Sequence, residues 1–113
     1  DIMSIKLDRL NNQFMEEISR IVNNEARDEN LGFVTITAVK ITNDLSYAKV
    51  YFTTLTDKEA SLKTLNKASS FIRTTLANRV KIRKMPILEF VYDQSIEYGK
   101  KIENIIERIK ENE

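Results

Sequence analysis

Apolar positions recur at three- and four-residue steps near the start of the chain, at Leu7, Leu10, Phe14, Ile18, Ile21 and Val22. That spacing follows one face of a 3.6-residue period and predicts a helix from about Ser4 to Glu25. The polar run Arg27-Asp28-Glu29-Asn30 follows, and Gly32 ends the connection. The pattern then changes. Phe33 to Ile41 and Ser46 to Thr54 are rich in β-branched and aromatic residues, so both predict strands. The short Asn43-Asp44 link predicts an antiparallel hairpin between them. In the second strand Ala48, Val50 and Phe52 alternate with Tyr47, Lys49 and Tyr51, which gives one packed face and one wetter face.

Thr56-Asp57-Lys58-Glu59 has the spacing of a capping box, in which the Thr56 hydroxyl and the Glu59 carboxylate meet the first free amides of a helix. The helical region that follows runs to about Val80, with Leu62, Leu65, Ser69, Ile72, Leu76 and Val80 as its inward stripe. At about 100° per residue, Lys63, Lys67, Ser70, Thr74 and Lys81 fall on the opposite side. Arg73 flanks that side, and Arg79 lies nearer the apolar stripe, where its long stem must reach outward to water. Pro86 suits the first residue of a third strand, and Ile87 to Tyr92 alternates, with Leu88, Phe90 and Tyr92 toward the helices. A last helix is predicted over about Ser95 to Lys110, with Ile102, Ile105, Ile106 and Ile109 as its stripe. The order is α-β-β-α-α-β-α. A hairpin plus a later strand, with helices covering one face, makes a single two-layer α+β domain of residues 1–113.

Composition narrows the chemistry. The 113 residues suffice for a buried core, and 42% hydrophobic with 31% charged residues describes a globular chain. There is no cysteine, which removes disulfides and thiolate chemistry, and no histidine, which removes the commonest general base near neutral pH. No apolar run reaches the length of a membrane span, and the start of the chain lacks the basic-then-apolar pattern of a secretory leader. The expectation is a cytoplasmic protein, not an enzyme, with no cofactor, metal, membrane or small-molecule partner.

Charge changes the picture more. From Lys63 to Lys84 there are seven basic residues (Lys63, Lys67, Arg73, Arg79, Lys81, Arg83 and Lys84) and no acidic one. The rest of the chain holds 11 basic against 17 acidic side chains, a net −6. A segregated basic stretch is the footprint of a phosphate-backbone binder, although charge runs also form plain solvated faces. Arg79, Lys81, Arg83 and Lys84 cluster where the helix ends, and cations there are also favoured by the backbone dipole. Tyr47, Lys49 and Tyr51 have the composition of a stacking platform for single-stranded bases, but more commonly such a set is an ordinary sheet surface. Glu16-Glu17 and Asp28-Glu29 read as solvated charges, since sequence neighbours do not share a helix face.

Three strings carry a resemblance. Leu31-Gly32-Phe33-Val34-Thr35-Ile36-Thr37 is followed by Asn43-Asp44-Leu45-Ser46-Tyr47-Ala48-Lys49-Val50, and Asp93-Gln94-Ser95-Ile96-Glu97-Tyr98-Gly99 stands near the other end. Together with the basic helical region and Met85-Pro86-Ile87-Leu88-Glu89-Phe90, they resemble the bacterial ribosome-binding factor A family over nearly the whole chain. The resemblance implies a type II K-homology-like fold with a three-stranded mixed sheet. It also implies a factor, monomeric when free, that binds 16S rRNA in the small (30S) ribosomal subunit and assists late maturation and pre-rRNA processing. In that family a helix-kink-helix marked Ala-x-Gly replaces the glycine-rich loop of K-homology domains. Here the matching residues are Ala68-Ser69-Ser70, and the glycine is missing. The RNA-binding candidates are Lys63, Lys67, Ser69, Ser70, Arg73, Thr74, Arg79, Lys81, Arg83 and Lys84. A general RNA-binding module, or an adaptor whose basic patch meets an acidic protein, remains open at this point.

Overall fold

A computed structural model describes residues 2–25, 31, 34–95 and 105–110. Helix α1 spans Ile2–Arg20 and widens at its end into a π-helical turn, Ile21–Glu25. Phe14, Ile18, Ile21 and Val22 are buried, and Leu7 and Leu10 pack partly against the same core, as the three-and-four spacing predicts. The side chain of Asn11 accepts a hydrogen bond from the Ile41 amide at 2.9 Å, which pins the helix to the end of the first strand.

Strands β1 (Val34–Ile41) and β2 (Tyr47–Thr54) form the expected antiparallel hairpin. Their pairing slips between Ile36 and Ala38, leaving Thr37 as the extra residue of a β-bulge. The bulge explains the burial of β1. Val34 and Ile36 point inward before it, Val39 and Ile41 after it, so the alternation changes phase without exposing either pair. Thr37 is then free to donate its hydroxyl to Asp93 at 2.7 Å.

The turn between the strands is held by side chains. The Thr42 hydroxyl donates to Asp44 at 2.8 Å and accepts from the amides of Ser46 and Tyr47, each at 3.1 Å. Leu45 adopts a left-handed φ of 60°, a conformation that costs a side-chain-bearing residue about 1–2 kcal/mol. Those bonds and the packing of Leu45 on the core offset that cost.

Helix α2 (Lys58–Arg79) joins β2 to β3 (Ile87–Tyr92), which lies parallel to β2. The sheet is therefore mixed, in the order β1-β2-β3. Ala48, Val50 and Phe52 from the central strand are fully buried against Leu65, Ile72 and Leu76 of α2 and the inward face of α1. Leu88 and Phe90 complete the layer, and Tyr92 meets Phe52 edge-on with ring centroids 5.7 Å apart.

Two details of α2 depart from expectation. Its N-cap is Asp57, one residue later than the capping-box reading, with the carboxylate accepting from the amides of Glu59 (2.9 Å) and Ala60 (3.3 Å). Thr56 is drawn off by the Thr54 hydroxyl, 3.1 Å away, and Asp is as good a cap as Thr or better. The helical segments on either side of Ala68-Ser69-Ser70 join without interruption in one 22-residue α-helix. Its back-bonding hydroxyl is that of Thr64, which donates to the Ala60 carbonyl at 2.9 Å. The predicted last helix is described only over 105–110, where Ile105, Ile106 and Ile109 are half-exposed. Gly99 and Ile102 lie outside the described residues.

Candidate nucleic-acid interface

The inward stripe of α2 fixes which side of the helix faces water. Leu65, Ile72 and Leu76 are buried, so Lys63, Lys67, Ser70 and Thr74 are exposed along the opposite side, while Ser69 is half-buried at its margin. Lys63 and Lys67, with Glu59, Leu62 and Asn66, line an open recess of about 460 Å³ on the first half of the helix. Neither lysine is paired with a carboxylate among the described residues. Beside them Phe71 leaves 47% of its surface in water, an exposed ring that the stripe Leu62 to Val80 already excludes from the core.

Two of the seven cations do different work. Arg73 is half-buried, and its guanidinium donates to the Pro86 carbonyl at 3.1 Å and the Met85 carbonyl at 3.2 Å. It fastens α2 to the segment entering β3, where Pro86 has no amide to offer and the carbonyls need a donor. Arg79 reaches Glu17 of α1 at 3.5 Å, and Glu17 also takes Arg20 at 2.8 Å. Glu17 is therefore not a free solvated charge. It sits between two guanidinium groups and ties the end of α1 to the end of α2.

The remaining cations gather after the helix. Lys81 and Arg83 are exposed, and Lys84 is exposed with its ammonium donating to the Ser46 hydroxyl at 3.4 Å. Lys84 also favours the charged form of Asp44, whose carboxyl is lowered to about 2, first by the Thr42 hydroxyl and then by the amide and hydroxyl of Ser46. The structure thus divides the basic run into two exposed groups. One is Lys63 and Lys67 on the first half of α2. The other is Lys81, Arg83 and Lys84 beyond its end, about 20 Å away at 1.5 Å per helical residue. Ser70 and Thr74 present hydroxyls between them. With cations at both ends and neutral hydrogen-bonding groups between, the surface has the donors that phosphate and sugar oxygens accept from. No group of three acidic side chains among the described residues is arranged to hold a metal ion.

Comparison with known proteins decides the lineage. The profile of the family described as ribosome-binding factor A matches residues 6–106. The chain belongs to the ribosome-binding factor A family. It is 48% identical to ribosome-binding factor A of Staphylococcus epidermidis, with 97% of each chain covered. Its fold is similar to the crystal structure of ribosome-binding factor A from Thermus thermophilus, at 28% identity and a TM-score of 0.73, covering 76% of this chain and 94% of that one. A homology model of the Thermus thermophilus factor, fitted into a cryo-EM map of its 30S complex, matches at 27% identity and a TM-score of 0.65, covering 74% and 91%. The α+β architecture with a three-stranded mixed sheet is that of the family's K-homology-like fold. No helix among the described residues is long and apolar enough to cross a membrane.

Proposed function

We propose that this chain is a single-domain, cytoplasmic assembly factor that binds 16S rRNA in the small ribosomal subunit and assists its late maturation and pre-rRNA processing. It does so as a monomer and by binding alone, without catalysis. Family membership supports the reading, as does the Thermus thermophilus relative fitted into a 30S complex. The observation that carries the site is the outward side of α2, where Lys63 and Lys67 are exposed and unpaired with Ser70 and Thr74 in line behind them. Lys81, Arg83 and Lys84 extend the contact beyond the helix end. Each lysine or arginine that replaces a condensed counterion strengthens binding in low salt, and the hydroxyls set the register along the backbone. Arg73 and Arg79 act from behind, the first holding the entry to β3 and the second joining the two helices.

The test is co-sedimentation with purified small subunits. Reversing Lys63 and Lys67 to Glu, and separately Lys81 and Arg83, should each greatly reduce pelleting while far-UV circular dichroism stays that of the parent. Wild-type pelleting by both double variants would place the ribosomal contact elsewhere on the molecule. Nuclease treatment of the subunits before mixing separates an RNA contact from a purely protein one.

A further inference from the structure

Among the described residues α1 and α2 cover the same side of the sheet, and on the other side Lys40, Tyr47, Lys49 and Glu89 face water. Strand register arranges that open side in cross-strand rows. Tyr47 pairs with Ile87, Lys49 stands between Lys40 and Glu89, and Tyr51 stands between Ala38 and Val91. Tyr47 is 51% and Ile87 52% exposed, so two large apolar side chains lie together in solvent. Lys40 and Lys49 sit directly opposite each other on paired strands, an arrangement in which like charges weaken the pairing. Among the described residues neither forms an ion pair, not even Lys49 with the neighbouring Glu89. The Lys40 ammonium instead lies 5.8 Å from the centroid of the Tyr51 ring. A recess of about 400 Å³ on this face is lined by Lys40, Ile41, Thr42, Tyr47, Lys49 and Glu89.

Charge decides what fits there. Two opposed ammonium groups are relieved by one anion between them, and a backbone phosphate, with its single negative charge, can accept hydrogen bonds from both. The exposed ring two positions away on β2 offers a face on which a base stacks, whatever its sequence. Glu89, in the same row as the lysines, works against a bare anion but accepts hydrogen bonds from a sugar hydroxyl or a base amino group. Cations for a phosphate, a ring face for a base and a carboxylate for hydrogen-bond donors, within one recess, fit a nucleotide. An acidic peptide satisfies the lysines only, and its further carboxylates meet Glu89.

We propose that the open face of the sheet is a second contact for single-stranded RNA. The base stacks on Tyr47 and its phosphate lies between Lys40 and Lys49. This deepens the RNA-binding reading above and rests on it. The molecule then holds RNA on two sides, along α2 and across the back of the sheet.

The proposal is tested on the full chain with a fluorescently labelled short oligouridylate, by anisotropy across a salt series. Tyr47→Leu should weaken binding about 5- to 150-fold, the range of one lost base stack, and Tyr47→Trp should restore it. Replacing Lys40 and Lys49 by Gln should reduce the slope of log affinity against log salt by about 0.7, the share of one single-strand phosphate contact. All three positions lie on the solvent side of the sheet, and circular dichroism verifies the fold of each variant. The idea is overturned if the parent does not bind the oligonucleotide, or if Tyr47→Leu and the double Gln variant bind it with the parent's affinity and slope. It is equally overturned if a photocrosslinker at Lys49 captures ribosomal protein instead of RNA. Pelleting with small subunits is scored in parallel. Subunit binding lost only by the α2 reversals would leave the ribosomal reading standing without the second site. Oligonucleotide binding that depends on Tyr47 with no subunit binding would do the reverse.

Discussion

Arg73 shows how one side chain changes meaning when its neighbours are known. Counted along the helix it flanks the basic face, and by charge it is one of seven. In the fold it is a bracket, committing two of its donors to the carbonyls of Met85 and Pro86. Hydrogen bonds from charged donors are worth about 1.5–3 kcal/mol when their loss leaves a partner unmet. Arg73→Ala should therefore lower unfolding free energy by about 2 kcal/mol in urea titration, well above an ordinary surface substitution. Arg73→Lys should recover only part of it, because one ammonium does not reproduce the planar fork. Stability unchanged in the Ala variant would return Arg73 to the exposed basic face. Leu45 makes a second residue-scale case. At its φ of 60°, Ala keeps the steric cost and loses the packing, whereas Gly removes the cost. Leu45→Gly should therefore be more stable than Leu45→Ala by about 1 kcal/mol, measured by the same titration.

At the scale of elements, most boundaries were legible because each rests on a short-range rule. The third strand was bounded correctly at Ile87 and Tyr92, since a proline precedes it and the alternation inside it is unbroken. What escaped were features that depend on a partner. The bulge at Thr37 is visible afterwards as a slip in alternation between Ile36 and Val39, yet only pairing with β2 shows that the strand continues through it. The cap moved from Thr56 to Asp57 because Thr54, across the turn, competes for the Thr56 hydroxyl. The Ala68-Ser69-Ser70 segment follows the same logic. Without the family's glycine nothing local forces a bend, and Leu65, Ile72 and Leu76 are all buried by one straight stripe. Replacing Ser69 and Ser70 by Ala should leave the fold intact and raise thermal stability slightly, because Ala has the higher helix propensity. Ser70→Gly should cost about 1 kcal/mol, the ordinary penalty of glycine inside a helix. A stabilising glycine at this site would mean that the working helix is bent there.

Over the whole molecule the candidate site was only half legible. Charge counting along the sequence found the basic run, and helical geometry found its outward side. Neither could assign Arg73 and Arg79 to structural contacts, because Met85, Pro86 and Glu17 reach them only in three dimensions. Nor could they oppose Lys40 to Lys49, which depends on strand register. Electrostatics at this scale yields the last prediction. The chain has no histidine, so its side chains lack an ordinary titration between pH of about 5.5 and 7. Its depressed carboxyls lie well below that window. Asp44 falls to about 2, and Asp93 is lowered first by the Ser95 hydroxyl and then by that of Thr37. A depressed carboxyl stabilises the fold above its unfolded pKa, near about 4, and the contribution is lost as pH falls through the folded value. Acid should therefore loosen the β1–β2 turn and the exit from β3 only below pH of about 4. Small-subunit binding should be flat from pH of about 5.5 to 7 and should fall steeply with salt, with a slope near −3 on logarithmic axes if about four single-strand phosphates are held. Titrations by anisotropy at fixed ionic strength separate the two variables. A transition centred near neutral pH would require an ionisable group with a strongly shifted pKa, and a flat salt response would replace the phosphate contacts with a neutral interface.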